Sequence, residues 1–303
     1  MTRDFDQAAW DDALAAHVAS RAPEWLAEDL GHECDWTTLA TVPAAATASL
    51  AVVARRDGVI AGLPAAAIVA RAVDPALSFV AALAEGARVE RGAAVATISG
   101  PTRSILTAER TVLNLLGRTC GVATGTARLV EAVAGTRCRV YDTRKTVPGW
   151  RLLDKYAVRV GGGWNHRHGL HDAVLIKDNH RAALAERGID AAGAVRLARE
   201  FLATTLPPER VARMVVEIEI DRLEDLEPVL AEVPDVVLLD NMQHGDLAAA
   251  VAVRDRLGAD VALEASGGIR PETIHAVAAT GVDRISSGWP THDAPWLDVA
   301  LDW

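Results

Sequence analysis

The chain has 303 residues, 50% of them hydrophobic but only 4% aromatic, and a formal net charge of −10. That length suits one large domain or two moderate ones, with a core built mainly from Ala, Val, Leu and Ile. An acidic chain lacks the broad basic face that nucleic acid requires. Three widely spaced cysteines (Cys34, Cys120, Cys138) form neither a metal-ligand pattern nor an even disulfide set, so a reduced cytoplasmic compartment is expected, with Cys120 and Cys138 read as small core residues. Met1–Asp12 is acidic and lacks the apolar stretch of a signal peptide. The apolar run near Val59–Val73 is broken by Pro64 and Arg71, so no membrane span is expected either.

The spacing of Ala8, Leu14, Ala15 and Val18 predicts a helix over Asp6–Ser20. Pro23 suits the first turn of a second one, with Trp25, Leu26 and Leu30 on one side and Gly31 as its stop. From Ser49 to Gly100, short β-type runs (Leu50–Ala54, Leu77–Ala81, Ala94–Ser99) alternate with glycine and charged turns, which predicts an α+β layer. After Pro101 a helical pattern with Ile105, Val112, Leu115 and Leu116 on its apolar side is followed by another from about Thr124 to Ala134. Beyond Gly135 strand, loop and helix repeat. Strands are predicted at Arg139–Tyr141, Ala173–Ile176, Met214–Ile218, Asp235–Leu239, Val261–Glu264 and Arg284–Ser286. Continuous apolar strands separated by helical patterns imply a parallel sheet covered by helices.

Each of those strands ends in polar or glycine residues. An open doubly wound sheet would bind mainly at one switch point, whereas a barrel gathers chemistry at the carboxyl ends of all its strands. Six decorated ends predict a barrel, in an α/β chain that begins with an α+β sandwich-like domain. The expected boundaries are residues 1–116 for the first domain, 117–289 for the barrel, and 290–303 for a tail packing back on the first domain.

From Arg137 to Lys177, nine basic side chains stand against three acids, with His166, His168 and His171 among them. A basic island in an acidic chain predicts a cavity for a small, multiply charged anion, since clustered cations focus field in a concave site. Within it, Thr143-Arg144-Lys145 follows a strand, pairing a planar fork with a point charge. Gly161-Gly-Gly163 predicts close backbone approach ahead of His166-Arg167. Lys177 follows a buried strand and is either a substrate contact or an ion-pair partner of Asp178 or Glu219. Glu219 and Asp240 end neighbouring strands; they suit Mg²⁺ bound largely through phosphates and water, or else structural pairing with the cations. Ser266-Gly267-Gly268 before a helix, with Ser287-Gly288 on the next strand, predicts a phosphate grip. Trp164 and Trp289 are expected to line the pocket.

Taken together, Glu109-Arg-Thr111, Asp142-Thr-Arg-Lys-Thr146, Asn165-His-Arg167, Leu175-Ile-Lys-Asp-Asn-His180, Glu217-Ile-Glu219, Leu239-Asp-Asn241, Glu264-Ala-Ser-Gly-Gly268 and Thr291-His292 resemble the quinolinate phosphoribosyltransferase family. The likeness runs from about Glu28 to the C-terminus. It implies a type II phosphoribosyltransferase: a sandwich-like domain, an incomplete α/β barrel, and transfer from phosphoribosyl pyrophosphate to quinolinate with loss of CO₂ in NAD biosynthesis. It further implies Mg²⁺ and a homodimer or larger homo-oligomer in which Arg110 reaches the neighbouring active site. On it, Lys145, His166, Lys177, Glu219 and Asp240 are the catalytic set. Thr143, Arg144, Arg167, Ser266, Gly267, Gly268, Ser287 and Gly288 would bind substrate with them.

Departures from the family pattern at Trp36, Trp164, Trp289 and Pro290 raise a second expectation. This is a paralogous pyrophosphorylase of the molybdenum-transport-associated type with a different substrate. A Schiff-base lyase acting through Lys177 is the reading from another class, and the least favoured of the three.

Overall fold

The computed structural model describes residues 3–303, which divide into two compact units. One comprises residues 8–127, 147–162 and 293–303; the other comprises the described residues up to Gln7 with 128–146 and 163–292. The division is less sequential than the reading of boundaries at 116 and 289. A single helix, Thr102–Ala132, contains the change of unit, and the helix Arg151–Val160 groups with the earlier part of the chain.

The first unit is built on an antiparallel sheet. Strands β1 (Thr47–Ala54), β3 (Ser78–Ala81) and β5 (Ala94–Pro101) pair in the order β1-β5-β3, while the short strands β2 (Gly58–Val59) and β4 (Arg88–Val89) form a separate ribbon. The C-terminal strand Val299–Asp302 adds antiparallel to β1, with Ala51 opposite Asp302. One helix, Asp12–Leu30, replaces the two predicted there. Asp11 caps it by accepting the Leu14 N–H at 2.8 Å, and Leu14, Val18, Ala22 and Leu26 make one buried stripe that continues through Pro23. That stripe outweighs the backbone bond the proline removes. The helix Thr102–Ala132 likewise replaces two. Its Gly121 lets the chain cross closely, since a Cβ there would lie 2.7 Å from the Pro295 carbonyl oxygen.

The second unit holds the parallel sheet, and all six strands fall where the sequence places them. They are β6 (Arg139–Tyr141), β7 (Ala173–Ile176), β8 (Val215–Ile220), β9 (Val236–Asp240), β10 (Ala262–Ser266) and β11 (Arg284–Ser286). The order is β6-β11-β10-β9-β8-β7, so β6 and β7 are edges and the barrel is incomplete. Beside β6 the chain passes again in the same direction at Trp164, whose N–H donates to the Val140 carbonyl at 2.7 Å.

Alternation along these strands stacks the interior in layers. Val216, Ile218, Val237, Leu239, Leu263 and Ile285 point outward into one apolar cluster beneath the helices. On the opposite face, Tyr141, Ala173, Val215, Val236 and Ala262 form the lowest interior layer, together with Phe5. Two residues further along come Thr143, Leu175, Glu217, Leu238 and Glu264, and two further again Lys145, Lys177, Glu219, Asp240 and Ser266. A functional rim is thereby set on a partly polar floor. Among the described residues no helix is long and apolar enough to cross a membrane.

Candidate active site

The strand ends converge as predicted. Thr143, Arg144 and Lys145 after β6, His166 and Arg167 from the glycine-led loop, Lys177 after β7, Glu219, Asp240 and Ser266-Gly267-Gly268 all line one cavity of about 570 Å³. The β6 turn is shaped locally: the Lys145 N–H donates to Thr143 Oγ at 3.0 Å, and the Lys145 carbonyl accepts from Thr291 Oγ at 2.7 Å. Gly267 is required rather than merely permitted. Its φ is +108° and a Cβ would sit 2.1 Å from Asn241 Oδ1. Asn241 is itself left-handed at φ +54°, fixed by donating its backbone N–H to the Ser266 carbonyl and its side-chain NH₂ to Asp240.

Four cations and three acids (Asp178, Glu219, Asp240) line this cavity, but they are unevenly committed. Lys177 Nζ donates to Glu219 Oε2 at 2.9 Å, so it is an ion-pair partner of Glu219, and it also faces the cavity. Arg144 Nε is buried with no hydrogen-bond partner among the described residues. Arg167 is 5% exposed, and none of the described carboxylates lies within ion-pair distance of it. Burial first, and then the neighbouring Arg144, depress the Arg167 pKa. Two guanidiniums that repel each other in a half-dry cavity call for an anion.

Beneath them lies a sealed polar layer. His166 Nε2 is 3.0 Å from Glu217 and 3.5 Å from Glu264, both acids being fully buried. Burial disfavours protonation of His166, but Glu217, Glu264 and Asp142 outweigh it and raise its pKa. Burial and then Glu217 push the Glu264 carboxyl up to about 7. The Arg167 N–H donates to His166 Nδ1 at 2.8 Å, which requires a lone pair there and leaves the ring proton on Nε2, facing the acids. The three ligand atoms lie within 4.8 Å of one another, yet a metal would need Nε2 bare and Nδ1 protonated, against the Arg167 N–H. The cluster therefore fits a shared proton better than a metal. Both ring nitrogens are engaged by protein, so His166 reaches the cavity with its ring rather than with a free donor or acceptor.

The rim is different. Glu219 and Asp240, on adjacent strands, offer two hard oxygen ligands without a third His, Cys, Asp or Glu among the described residues. That donor set fits a Mg²⁺ ion retaining most of its water and phosphate ligands.

Ser287 and Gly288, expected to bind substrate, do not line the cavity. Ser287 is 3% exposed and spends its hydroxyl on the Ile269 carbonyl at 2.8 Å, so it braces the loop instead. Gly288 clears space for the His292 ring, 2.8 Å from a Cβ there, and for Lys145, 3.1 Å from it. Arg110 is exposed on the helix Thr102–Ala132 of the other unit. Neither tryptophan lines the pocket: Trp164 lies under the Arg139 guanidinium at 4.2 Å, and Trp289 packs against the apolar cluster of the sheet. Sequence reading missed Leu175, Leu238, Asn241 and Ser286 as lining residues, and it missed the buried pair Glu217 and Glu264. The pair had a signal, since each is an acid inside an otherwise apolar strand.

A parallel barrel whose open rim holds unpaired guanidiniums beside a glycine turn defines a protein that handles compact polyanions. Sequence comparison narrows that class. Residues 35–120 match the quinolinate phosphoribosyl transferase N-terminal domain, and residues 122–302 match its C-terminal domain. The chain is 44% identical over 279 residues to a nicotinate-nucleotide pyrophosphorylase [carboxylating] of Mycobacterium leprae, covering 91% of this chain and 94% of the other. It is 40% identical to a probable enzyme of the same name from Synechocystis, covering 92% and 90%. The solved nicotinate-nucleotide pyrophosphorylase of Francisella tularensis superposes with a TM-score of 0.88 at 35% identity, covering 99% of both chains. The chain belongs to the quinolinate phosphoribosyltransferase family.

Proposed function

We propose that this protein transfers the phosphoribosyl group of phosphoribosyl pyrophosphate to the ring nitrogen of quinolinate, releasing pyrophosphate and CO₂ and leaving nicotinate mononucleotide for NAD biosynthesis. The ring nitrogen forms a bond to C1 of the ribose as the bond to pyrophosphate breaks. The carbon–carboxylate bond at ring position 2 then breaks, and its electron pair takes up a proton. No covalent nucleophile is needed, so the protein's work is placement and charge. The observation that carries the reading is the pair Arg144 and Arg167, which line one cavity with no ion-pair partner among the described residues and match in number the two carboxylates of the ring.

In this reading Arg144, Arg167 and Lys177 face quinolinate, while Lys145 meets the leaving pyrophosphate. Glu219 and Asp240 hold ribose hydroxyls or a Mg²⁺ ion that offsets phosphate charge. Ser266, Gly267 and Gly268 receive the 5′-phosphate through backbone N–H groups. His166 supports the floor. Arg110 completes the site of a second copy, supported by its exposure and by the absence of any hydrogen bond or ion pair to it among the described residues. The enzyme would then work as a homodimer or larger assembly in the cytoplasm. Nothing in the cavity favours the paralogue with another substrate, since Trp164 and Trp289 lie outside it.

The test is product analysis after incubating the protein with quinolinate, phosphoribosyl pyrophosphate and Mg²⁺. Nicotinate mononucleotide and CO₂ in equal amounts are expected. Turnover of nicotinate but not quinolinate would refute the reading. For the assembly, mixing inactive Arg110→Ala with inactive Arg167→Ala should restore activity; a mixture as dead as its parts would show that Arg110 does not act across an interface.

A further inference from the structure

Residues Arg3–Gln7 lie before the matched family domains, which begin at residue 35, yet they belong to the barrel unit. They are tied there at every position. Arg3 meets Asp235 at 3.4 Å. Asp4 accepts from the Tyr141 hydroxyl at 2.8 Å and from Arg284 at 3.1 Å. Phe5, only 6% exposed, joins the interior layer formed by the first residues of β7, β8, β9 and β10, and so plugs the amino-terminal mouth of the barrel. The Asp6 carbonyl is 3.1 Å from His168 Nε2.

This plug touches the anion-binding loop from below. The Phe5 ring stacks on the His166 imidazole at 4.2 Å and 28°. Gln7 clamps the Asn165 backbone from both sides, accepting its N–H at 2.8 Å and donating to its carbonyl at 3.1 Å. Asp142, 1% exposed, fixes the same stretch from the other side, accepting from Asn165 Nδ2 at 2.7 Å and from the His166 N–H at 2.8 Å. The next backbone N–H, that of Arg167, is held by His166 Nδ1. Three consecutive residues are thus immobilised immediately before a guanidinium that has no ion-pair partner among the described residues.

We propose that the segment Arg3–Gln7 is a positioning strap for Arg167, with Gln7 and Phe5 setting where that guanidinium stands in the quinolinate cavity. The inference rests on the quinolinate reading above. A site built to meet two carboxylates at once tolerates little displacement, because the benefit of placement is lost steeply with misalignment. Neither Phe5 nor Gln7 lines the cavity, so their effect on turnover must pass through the loop.

Full-length Gln7→Ala, Gln7→Glu and Phe5→Leu test it. Gln7→Ala is expected to lower kcat/KM for quinolinate about tenfold, the scale of one or two net hydrogen bonds, with the thermal midpoint nearly unchanged. Gln7→Glu keeps the acceptor for the Asn165 N–H and loses the donor, so it should fall between wild type and Gln7→Ala. Phe5→Leu keeps an apolar plug and removes the flat ring, and should lower kcat at saturating substrate per folded molecule. A purely structural segment would instead move the thermal midpoint and leave kcat and KM of the folded fraction at wild-type values; that outcome overturns the strap while leaving the proposed reaction standing. Wild-type protein that neither turns over quinolinate nor binds it by calorimetry removes both.

Discussion

Two clusters of arginine in the barrel unit look alike in sequence and behave oppositely in structure. Arg137, Arg139, Arg254 and Arg284 line a cavity of about 620 Å³, larger than the 570 Å³ site that contains Arg144 and Arg167. Every arginine of the larger cavity has an acid. Arg254 pairs with Asp283 and Asp255, Arg284 with Asp4, Arg137 with Asp283 at 3.4 Å, and Arg139 with Asp4 at 3.5 Å. Arg144 and Arg167 have none among the described residues. Volume does not separate the two regions. The separating fact is which cations the protein has already neutralised, because a buried charge without a partner is tolerated only where a ligand will supply one.

Two substitutions test that contrast most strongly. Arg167→Ala should cut kcat/KM by on the order of 10²-fold or more, since it removes a placed charge from the reacting complex. Its thermal midpoint should stay level or rise, because an unpaired cation leaves a buried position. Arg284→Ala should do the reverse. It strips Asp4, and with it the Arg3–Gln7 strap, of a buried partner and should cost roughly 1–3 kcal/mol of stability, with activity per folded molecule falling no further than in Gln7→Ala. Urea unfolding alongside initial rates decides the matter. Equal losses of stability in the two variants would erase the distinction.

The layer between the two regions responds to pH. The Glu264 pKa is about 7 in the folded state against 4.5 as the ordinary value, so the folded protein holds a proton that the unfolded chain releases. Its contribution is fully present below pH 4.5 and is lost as pH rises through about 7. Glu264→Gln keeps the shape and removes the titration. The stability difference between wild type and Glu264→Gln should therefore shift in favour of the variant across that window, by a few kcal/mol at most. A difference constant with pH would mean that Glu264 is ionised throughout and that the proton lies elsewhere in the cluster.

Much of this was legible in the chain. All six parallel strands could be placed because strands buried on both faces must read as unbroken apolar runs. Arg144, Lys145, Arg167, Lys177, Glu219 and Asp240 were legible as rim residues because each follows such a run or a glycine loop. What escaped depended on three-dimensional closure. The basic island reads as one cavity, yet it divides: Arg144, Lys145, Arg167 and Lys177 share the site, whereas Arg137 and Arg139 line the other cavity and Lys155 is fully buried in the other unit. Local preference makes Pro23 a helix start, but the buried stripe from Leu14 to Leu26 overrides it. Asn favours the left-handed region, but only the fold puts Asn241 there, through its bonds to Ser266 and Asp240 and the close approach of Gly267.

The weakest expected effect is also the most discriminating for the paired cluster. Arg137 is more than half exposed, meets Asp283 at 3.4 Å, and donates to the Gly281 carbonyl at 2.6 Å. An exposed pair is worth about 0–1 kcal/mol, because solvent screens the charge and ordering the side chain costs entropy. Arg137→Ala should therefore change stability by less than about 1 kcal/mol and leave kcat and KM untouched. Arg137 shares a cavity lining with Arg284, so a large activity loss on its removal would reveal a ligand in the neutralised cavity. An unchanged enzyme would confirm that charge balance, rather than the presence of a hollow lined by arginine, marks where this protein binds its substrate.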